Sequence, residues 1–393
     1  MNIALVYTNK GETQGGGFTF QEEILKEISN IKNKNLNFFL FHTQKFNKHQ
    51  KFENTHLIKK NYYNIFVESM IRNFSFISER VKFKTILDKA CEKFDIDIVL
   101  FLDNNHNIIT NYPYVTIVYD VDHINYPFFP EFSKNYKWYK RENGLRNHLR
   151  KATAIITGTD IGIFEIQNYY GIPKNKIFKL PHPSIEITTD EIENVTKNFS
   201  LKKIGVSEKN YIMYPAQFWP HKNHYSLVIL GKALKKKYEN KIKIVLTGEN
   251  KVNLNYLYKL IKKNNLEDIF VIPGFVEKGF LILLYKNAIA LTYVSYGGNE
   301  NLPPLEAFSI GCPVIAAKNK GSIEQLGDAA ILIDPNETDI FLQTIEKIMS
   351  DEEFRKDLIL KGKTRSNKWK ISNFVEEINK LLLTFEKYIR TWK

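Results

Sequence analysis

The chain has 393 residues, 43% of them hydrophobic and 13% aromatic, which supplies globular cores and excludes a disordered chain. That length suits two domains better than one core, and the lone Cys91 and Cys312 exclude a disulfide framework or a cysteine zinc site and fit a reducing, cytoplasmic setting. A net charge of +13 attracts something anionic, whether nucleic acid, acidic phospholipid or a phosphorylated small molecule, without choosing among them.

The amino terminus, MNIALVYTNKGE, has no basic region or cleavage site ahead of its apolar run. No uncharged apolar stretch approaches the ~18 residues needed to cross a bilayer. The expectation is a soluble or peripheral protein.

The elements follow in chain order. Ile3 to Tyr7 reads as a strand, Gly15-Gly16-Gly17 as a loop and Phe18 to Ile28 as a helix. Leu36 to Phe41, Ile96 to Leu102 and Tyr114 to Tyr119 read as further strands, with a helix over Thr85 to Phe94. Helices over Arg141 to Lys151 and Ile161 to Tyr170 enclose a strand at Ala154 to Gly158. Lys176 to Leu180 closes this half on Pro181-His182-Pro183. The spacing predicts a first domain over 1–185 and a polar linker over 186–207.

The pattern restarts with a strand at Tyr211 to Tyr214, the loop AQFWPHKNH and a helix over Tyr225 to Lys237. Strands are expected at Ile242 to Thr247, Ile269 to Ile272, Ala288 to Tyr293, Val314 to Ala317 and Ala330 to Ile333. Helices are expected over Leu254 to Asn264 and Gly279 to Asn287. This second domain covers 208–370, and 371–393 reads as a helix returning to the first. Strand alternating with helix points to an α/β fold of parallel sheets covered on both faces.

Ligands of such sheets sit beyond the carboxyl ends of the strands. The Gly15 loop, the residues after Tyr119, the AQFWPHKNH loop and NENLPPLE all hold that position and can face one cleft. Asn301 can cap a helix whose first turn holds Pro303, Pro304, Leu305 and Glu306, with Gly311 and Pro313 ending it. A helix start offers free amides to a phosphate or sugar hydroxyl, so Glu306 is either a partner of the helix dipole or an acceptor for a ligand diol.

The segment NLPPLEAFSIGCPVIAAKNKGSIEQLGDAAILIDP, from Asn301, resembles the carboxyl-terminal signature of the retaining family-4 glycosyltransferases of GT-B fold. YPAQFWPHKNH at Tyr214, GFV at Gly274 and LYKNA at Leu284 are similar to successive parts of that family's nucleotide-binding domain. The Gly15 loop, VYDVDHINYPFFPEF at Val118 and YYGIPKNKIFKLPHP at Tyr169 are similar to its amino-terminal domain. The resemblance runs in order through nearly the whole chain and implies two Rossmann-like doubly wound domains facing a cleft.

It also implies roles. Glu306 corresponds to the glutamate that binds the donor ribose, and Lys222 to the basic residue that neutralises the departing diphosphate. Asp120 falls on the loop acid near the acceptor or anomeric carbon, with His123 as a second candidate there. The bland alternative for Asp120 is a loop cap. The donor site would be completed by Gln217, His221, Asn223, Gly248, Gly274, Phe275, Val276, Gly298, Asn299, Glu300, Asn301 and Leu302, with Gly15, Gly16 and Gly17 approaching donor or acceptor.

Two positions depart from the family. Its first glutamate, eight residues before Glu306, falls on Gly298, and its arginine, five before Lys222, falls on Gln217. Asn299 and Glu300, or the amides of Gly297-Gly298, are the expected stand-ins.

No metal or tightly bound cofactor is expected. His221 and His224 lack a carboxylate at metal-site spacing. The glycine run has neither dinucleotide-fingerprint nor P-loop form.

The reading is a retaining transferase with a UDP- or GDP-linked sugar as co-substrate and a glycan or lipid-linked acceptor. It would act in the cytoplasm, with the basic segment Lys59 to Lys84 either packed on the sheet or resting on an anionic membrane. Two rivals are a sugar-nucleotide-binding protein without turnover and a nucleic-acid-binding protein. The second has no recognisable motif and no basic stripe, so nucleic acid is not the expected partner.

Overall fold

The computed structural model describes residues 1–7, 15–30, 35–42, 55–57, 84–103 and 108–391. The basic segment Lys59 to Lys84 lies outside them except for Lys84 itself.

Two all-parallel sheets form the frame. The first runs in the order β3-β2-β1-β4-β5-β6-β7, from β1 (Asn2–Tyr7), β2 (Asn37–His42), β3 (Thr55–Leu57), β4 (Ile98–Phe101), β5 (Tyr114–Ile117), β6 (Ala154–Thr157) and β7 (Ile177–Lys179). The second runs β10-β9-β8-β11-β12-β13, from β8 (Tyr211–Pro215), β9 (Lys243–Thr247), β10 (Phe270–Gly274), β11 (Leu291–Tyr293), β12 (Val314–Ala317) and β13 (Ile331–Ile333). Central strands such as IVLF of β4 are buried at every residue, because helices cover both faces.

In each sheet the strand order reverses once, between β1 and β4 and between β8 and β11. A crevice opens at such a reversal, where successive connections leave to opposite faces. β1 leads into the Gly15 loop, and β8 and β11 lead into the two loops that carry Lys222 and Asn301.

The helices follow their apolar spacing. Gly16–Asn30 buries Phe20, Ile24, Leu25 and Ile28 on one face. Ile371–Ile389 buries Phe374, Val375, Ile378, Leu381 and Leu382, all of them in the first domain's core.

The polar stretch 186–207, read as a linker, is instead largely structured. Thr188 and Glu191 form a reciprocal capping box that starts the helix Thr189–Asn198. Val195 and Val206 are buried in the second domain's core, so the segment belongs to that domain's packing.

The chain passes between the domains in two neighbouring places. The Ser184 amide donates to Trp369 O at 3.0 Å, and Trp369 Nε1 donates to Pro181 O at 2.7 Å.

Candidate active site

A cavity of about 340 Å³ lies between the two sheets' carboxyl ends. Residues of all four expected loops line it: Gly15, Gly16 and Gly17; Asp120; Gln217, His221 and Lys222; and Gly298, Glu300, Asn301 and Leu302.

Gly15 has φ +78°, a conformation that favours glycine, and its carbonyl accepts the Phe18 amide that begins the following helix. The loop closes on the second domain. A Cβ on Gly15 would stand 3.7 Å from Gln217 Nε2, and one on Gly16 would press to 3.3 Å from Leu302 Cδ1. Leu302, the first residue of the helix Leu302–Ile310, is buried against the first domain's core.

Lys222 ends a short turn, Pro220–Lys222, after β8. Its Nζ donates to Tyr293 Oη at 3.2 Å, and Tyr293 Oη donates to Asn301 Oδ1 at 2.7 Å. This chain fixes an ammonium at the cavity wall while leaving further donors for an anion. Asn301 does sit at the helix start, but its side chain serves Tyr293 and the Gly298 carbonyl and makes no cap bond.

His221 is tied to the first domain: Glu131 Oε1 takes its amide at 2.9 Å and its Nδ1 at 2.7 Å. Burial lowers the His221 pKa; the Glu131 bond opposes that and Lys222 adds to it.

Asp120 Oδ1 accepts Arg141 Nη2 at 2.6 Å and the Asp122 amide at 2.9 Å. Burial alone would raise its pKa, but the Arg141 charge and these bonds hold it below the ordinary carboxylate range. Asp120 is therefore a carboxylate clamped through one oxygen at the cavity edge, combining the cap and the ligand-facing readings.

Glu300 reaches the cavity but turns its carboxylate across it. His182 N donates to Oε1 at 2.7 Å, and a Cβ on Gly158 would overlap Oε2 at 1.4 Å. Burial, with Glu324 adding to it, pushes Glu300 up to about 8, against the His182 amide and Lys179. Asn299, the other expected stand-in, is not on the cavity. Its Nδ2 donates to Glu165 of the first domain at 2.6 Å.

Other expected residues lie away from the cavity wall. Glu306 is the fifth residue of its helix, beyond the first turn, and lies outside the cavity; its Oε2 accepts from Tyr285 Oη at 2.9 Å. Burial raises its pKa, with the Tyr285 bond and Lys278 opposing.

Gly274, Phe275 and Val276 follow β10, and Gly274 O accepts the Gly248 amide at 3.0 Å, so they share an outer rim with Gly248 rather than the cavity. Asn223 is buried, in a left-handed conformation at φ +55°, and starts the helix His224–Tyr238. His123 is fully buried behind the site with Nε2 3.2 Å from Glu142 Oε2, because the short helix Asp122–Asn125 turns it inward.

That same turn presents Asp122, which residue spacing missed. Asp122 Oδ2 accepts the Gly298 amide at 2.8 Å across the cleft. His182, packed on Phe20 with ring centroids 4.6 Å apart, also lines the cavity. The proline pair around His182 marks a strand end, and that was its one visible signal.

Two Rossmann-like parallel-sheet domains whose strand-order reversals face one cleft define the GT-B fold. Solved structures share it over nearly the whole chain. Anabaena Alr3699/HepE in complex with UDP matches at TM-score 0.71 and 14% identity over 98% of this chain and 100% of that one. WaaG, a glycosyltransferase involved in lipopolysaccharide biosynthesis, matches at TM-score 0.69 and 14% identity over 96% and 98%.

Residues 196–365 match the family described as Glycosyl transferases group 1. The O-antigen chain mannosyltransferase B of Escherichia coli is 25% identical over 246 residues, 62% of this chain and 64% of the relative. The O-antigen chain mannosyltransferase RfbU of Salmonella typhimurium is 26% identical over 141 residues, 36% of this chain and 39% of the relative. The chain thus spans less than two thirds of these relatives' length. Its resemblance is to glycosyltransferases of bacterial glycan assembly.

Proposed function

We propose that this protein is a glycosyltransferase that moves a sugar from a nucleoside diphosphate donor to a glycan or lipid-linked acceptor in cell-surface polysaccharide assembly. The observation that carries the reading is the meeting of Lys222, the Gly15–Gly17 loop and the start of the helix Leu302–Ile310 on one interdomain cavity. An ammonium beside the Gly16 and Gly17 amides, which open the helix Gly16–Asn30, and the Leu302 amide is suited to a diphosphate, first as ligand and then as leaving group.

In this reading the diphosphate lies against Lys222 and the nucleoside runs outward over Gly248 and the Gly274 turn. Glu306, held by Tyr285 Oη, then accepts the ribose diol at that rim. The acceptor enters from the first domain beside Asp120. A mannosyl unit is the favoured cargo, since the relatives above are named mannosyltransferases.

Transfer proceeds with retention, the sugar's bond to the departing phosphate breaking on the face that the acceptor approaches. The phosphate oxygen assists removal of the acceptor proton. No metal is called on, because Lys222 and helix amides supply the positive charge.

The protein works in the cytoplasm or against the membrane's inner face. Among the described residues no helix is long and apolar enough to cross a membrane.

The test is a thermal-shift panel of UDP, GDP and their sugar conjugates, followed by NMR of the product. A diphosphate at 100 times its Kd should stabilise by ~2.7 kcal/mol. Stabilisation by none of them overturns the reading, and an inverted anomer overturns retention.

A further inference from the structure

Asp122 belongs to the first domain, yet its carboxylate is seated in the second. Oδ2 accepts the Gly298 amide at 2.8 Å, and a Cβ on Gly297 would stand 2.3 Å from that same oxygen. The carboxylate therefore fills a notch that exists because Gly297 has no side chain.

Asp122 is only 5% exposed and lines the cavity with Lys222. Its second oxygen, Oδ1, has no hydrogen-bond partner among the described residues. Asp120, two residues away, takes Arg141 and the Asp122 amide on its Oδ1, both from its own domain, so of the two acids it is Asp122 that is seated across the cleft. A buried carboxylate with one oxygen fixed and one unfilled is completed at least cost by a hydroxyl donor entering the cavity.

We propose that Asp122 binds a hydroxyl of the donor's sugar unit, so that a residue of the first domain reads the sugar of a nucleotide held by the second. This rests on the glycosyltransferase reading above. A diphosphate against Lys222 leaves the sugar attached to it as the nearest polyol, and the turn at Gly297-Gly298 offers that sugar no side chain of its own. The Gly298 amide orients Asp122, and the cleft must be closed for the two to meet.

Calorimetric titration of the full chain tests this, with UDP and GDP set against UDP-glucose and GDP-mannose. The wild type should bind one sugar nucleotide about tenfold or more tighter than its own diphosphate, the span of one well-made buried hydrogen bond. Asp122→Ala should erase that preference and leave diphosphate affinity within about twofold. Gly297→Ala should do the same by displacing the carboxylate without removing it. Asp122→Asn, which keeps a neutral acceptor, should retain part of it.

Variants that keep the full preference, or that lose diphosphate and sugar nucleotide in equal measure, would overturn the proposal. So would a wild type with no preference for the sugar. A wild type that binds neither diphosphate brings down the glycosyltransferase reading itself, and the proposal with it.

Discussion

A single proton or charge decides several of the roles assigned here. Glu306 accepts from Tyr285 Oη and would accept from the ribose as well. Glu306→Gln keeps an oxygen for Tyr285 but loses the charge. Donor Kd should rise about tenfold while Tm hardly moves; a fall in Tm with unchanged Kd would make the residue structural. Lys222→Ala should lower the transfer rate about 10²- to 10³-fold, the loss typical of one preorganised donor at a developing oxyanion. Steady-state rates together with an unchanged melting curve would check it. Lys222 could be picked out in the sequence because it stands just after a strand, beside His221 and Asn223, in a segment that resembles the family's nucleotide-binding loop. Asp122 could not, since its partner Gly298 lies 176 residues away and the contact exists only across the cleft.

At the scale of elements, the clearest signals came from residues with a backbone consequence. Val314 to Ala317 forms β12 over the same residues, bounded by Pro313 and a polar run. The prolines at 303 and 304 and Gly311, at φ +83°, delimit the helix Leu302–Ile310. What escaped was weakly patterned: β3 is a three-residue edge strand in a polar stretch, and Thr189–Asn198 buries only Val195. The Thr188 to Glu191 spacing could have revealed that helix, being a capping box. Gly248 joins the loops after β8 and β9, where a Cβ at φ +154° would lie 2.3 Å from Ala216 O. Gly248→Ala should cost about 1–3 kcal/mol, lowering Tm by several degrees in a calorimetric scan. An unchanged Tm would mean the loop can yield.

The whole molecule is tied shut by acids. Glu300 meets His182, Asp122 meets Gly298, Glu131 meets His221 and Glu165 meets Asn299. Burial raises Glu300 from 4.5 to about 8, so its contribution to stability is complete below pH 4.5 and is lost as pH rises through about 8. His182 has the opposite sign: burial lowers it from 6.5 to about 4, and its contribution is lost as pH falls below 6.5. Between pH 6.5 and 8 His182 is neutral in both states, leaving Glu300, with Asp122 of the same sign, to dominate. Stability should therefore fall with rising pH there, by up to ~1.4 kcal/mol per unit per group. Glu300→Gln should flatten the slope of Tm against pH in that window; parallel curves for wild type and variant would contradict the assignment.

The paired crossings at Pro181–Ser184 and Trp369–Lys370 have a consequence for how these ties can open. Ser184 and Lys370 are bridged as in a small parallel ladder, so neither segment can slide along the other without breaking it. Translation and shear of one domain over the other are thereby resisted, and rotation about the line of the two segments remains the least costly motion. The crossings lie side by side, so a ligand that bridges the cleft joins the domains at a second place, away from the line on which the chain joins them.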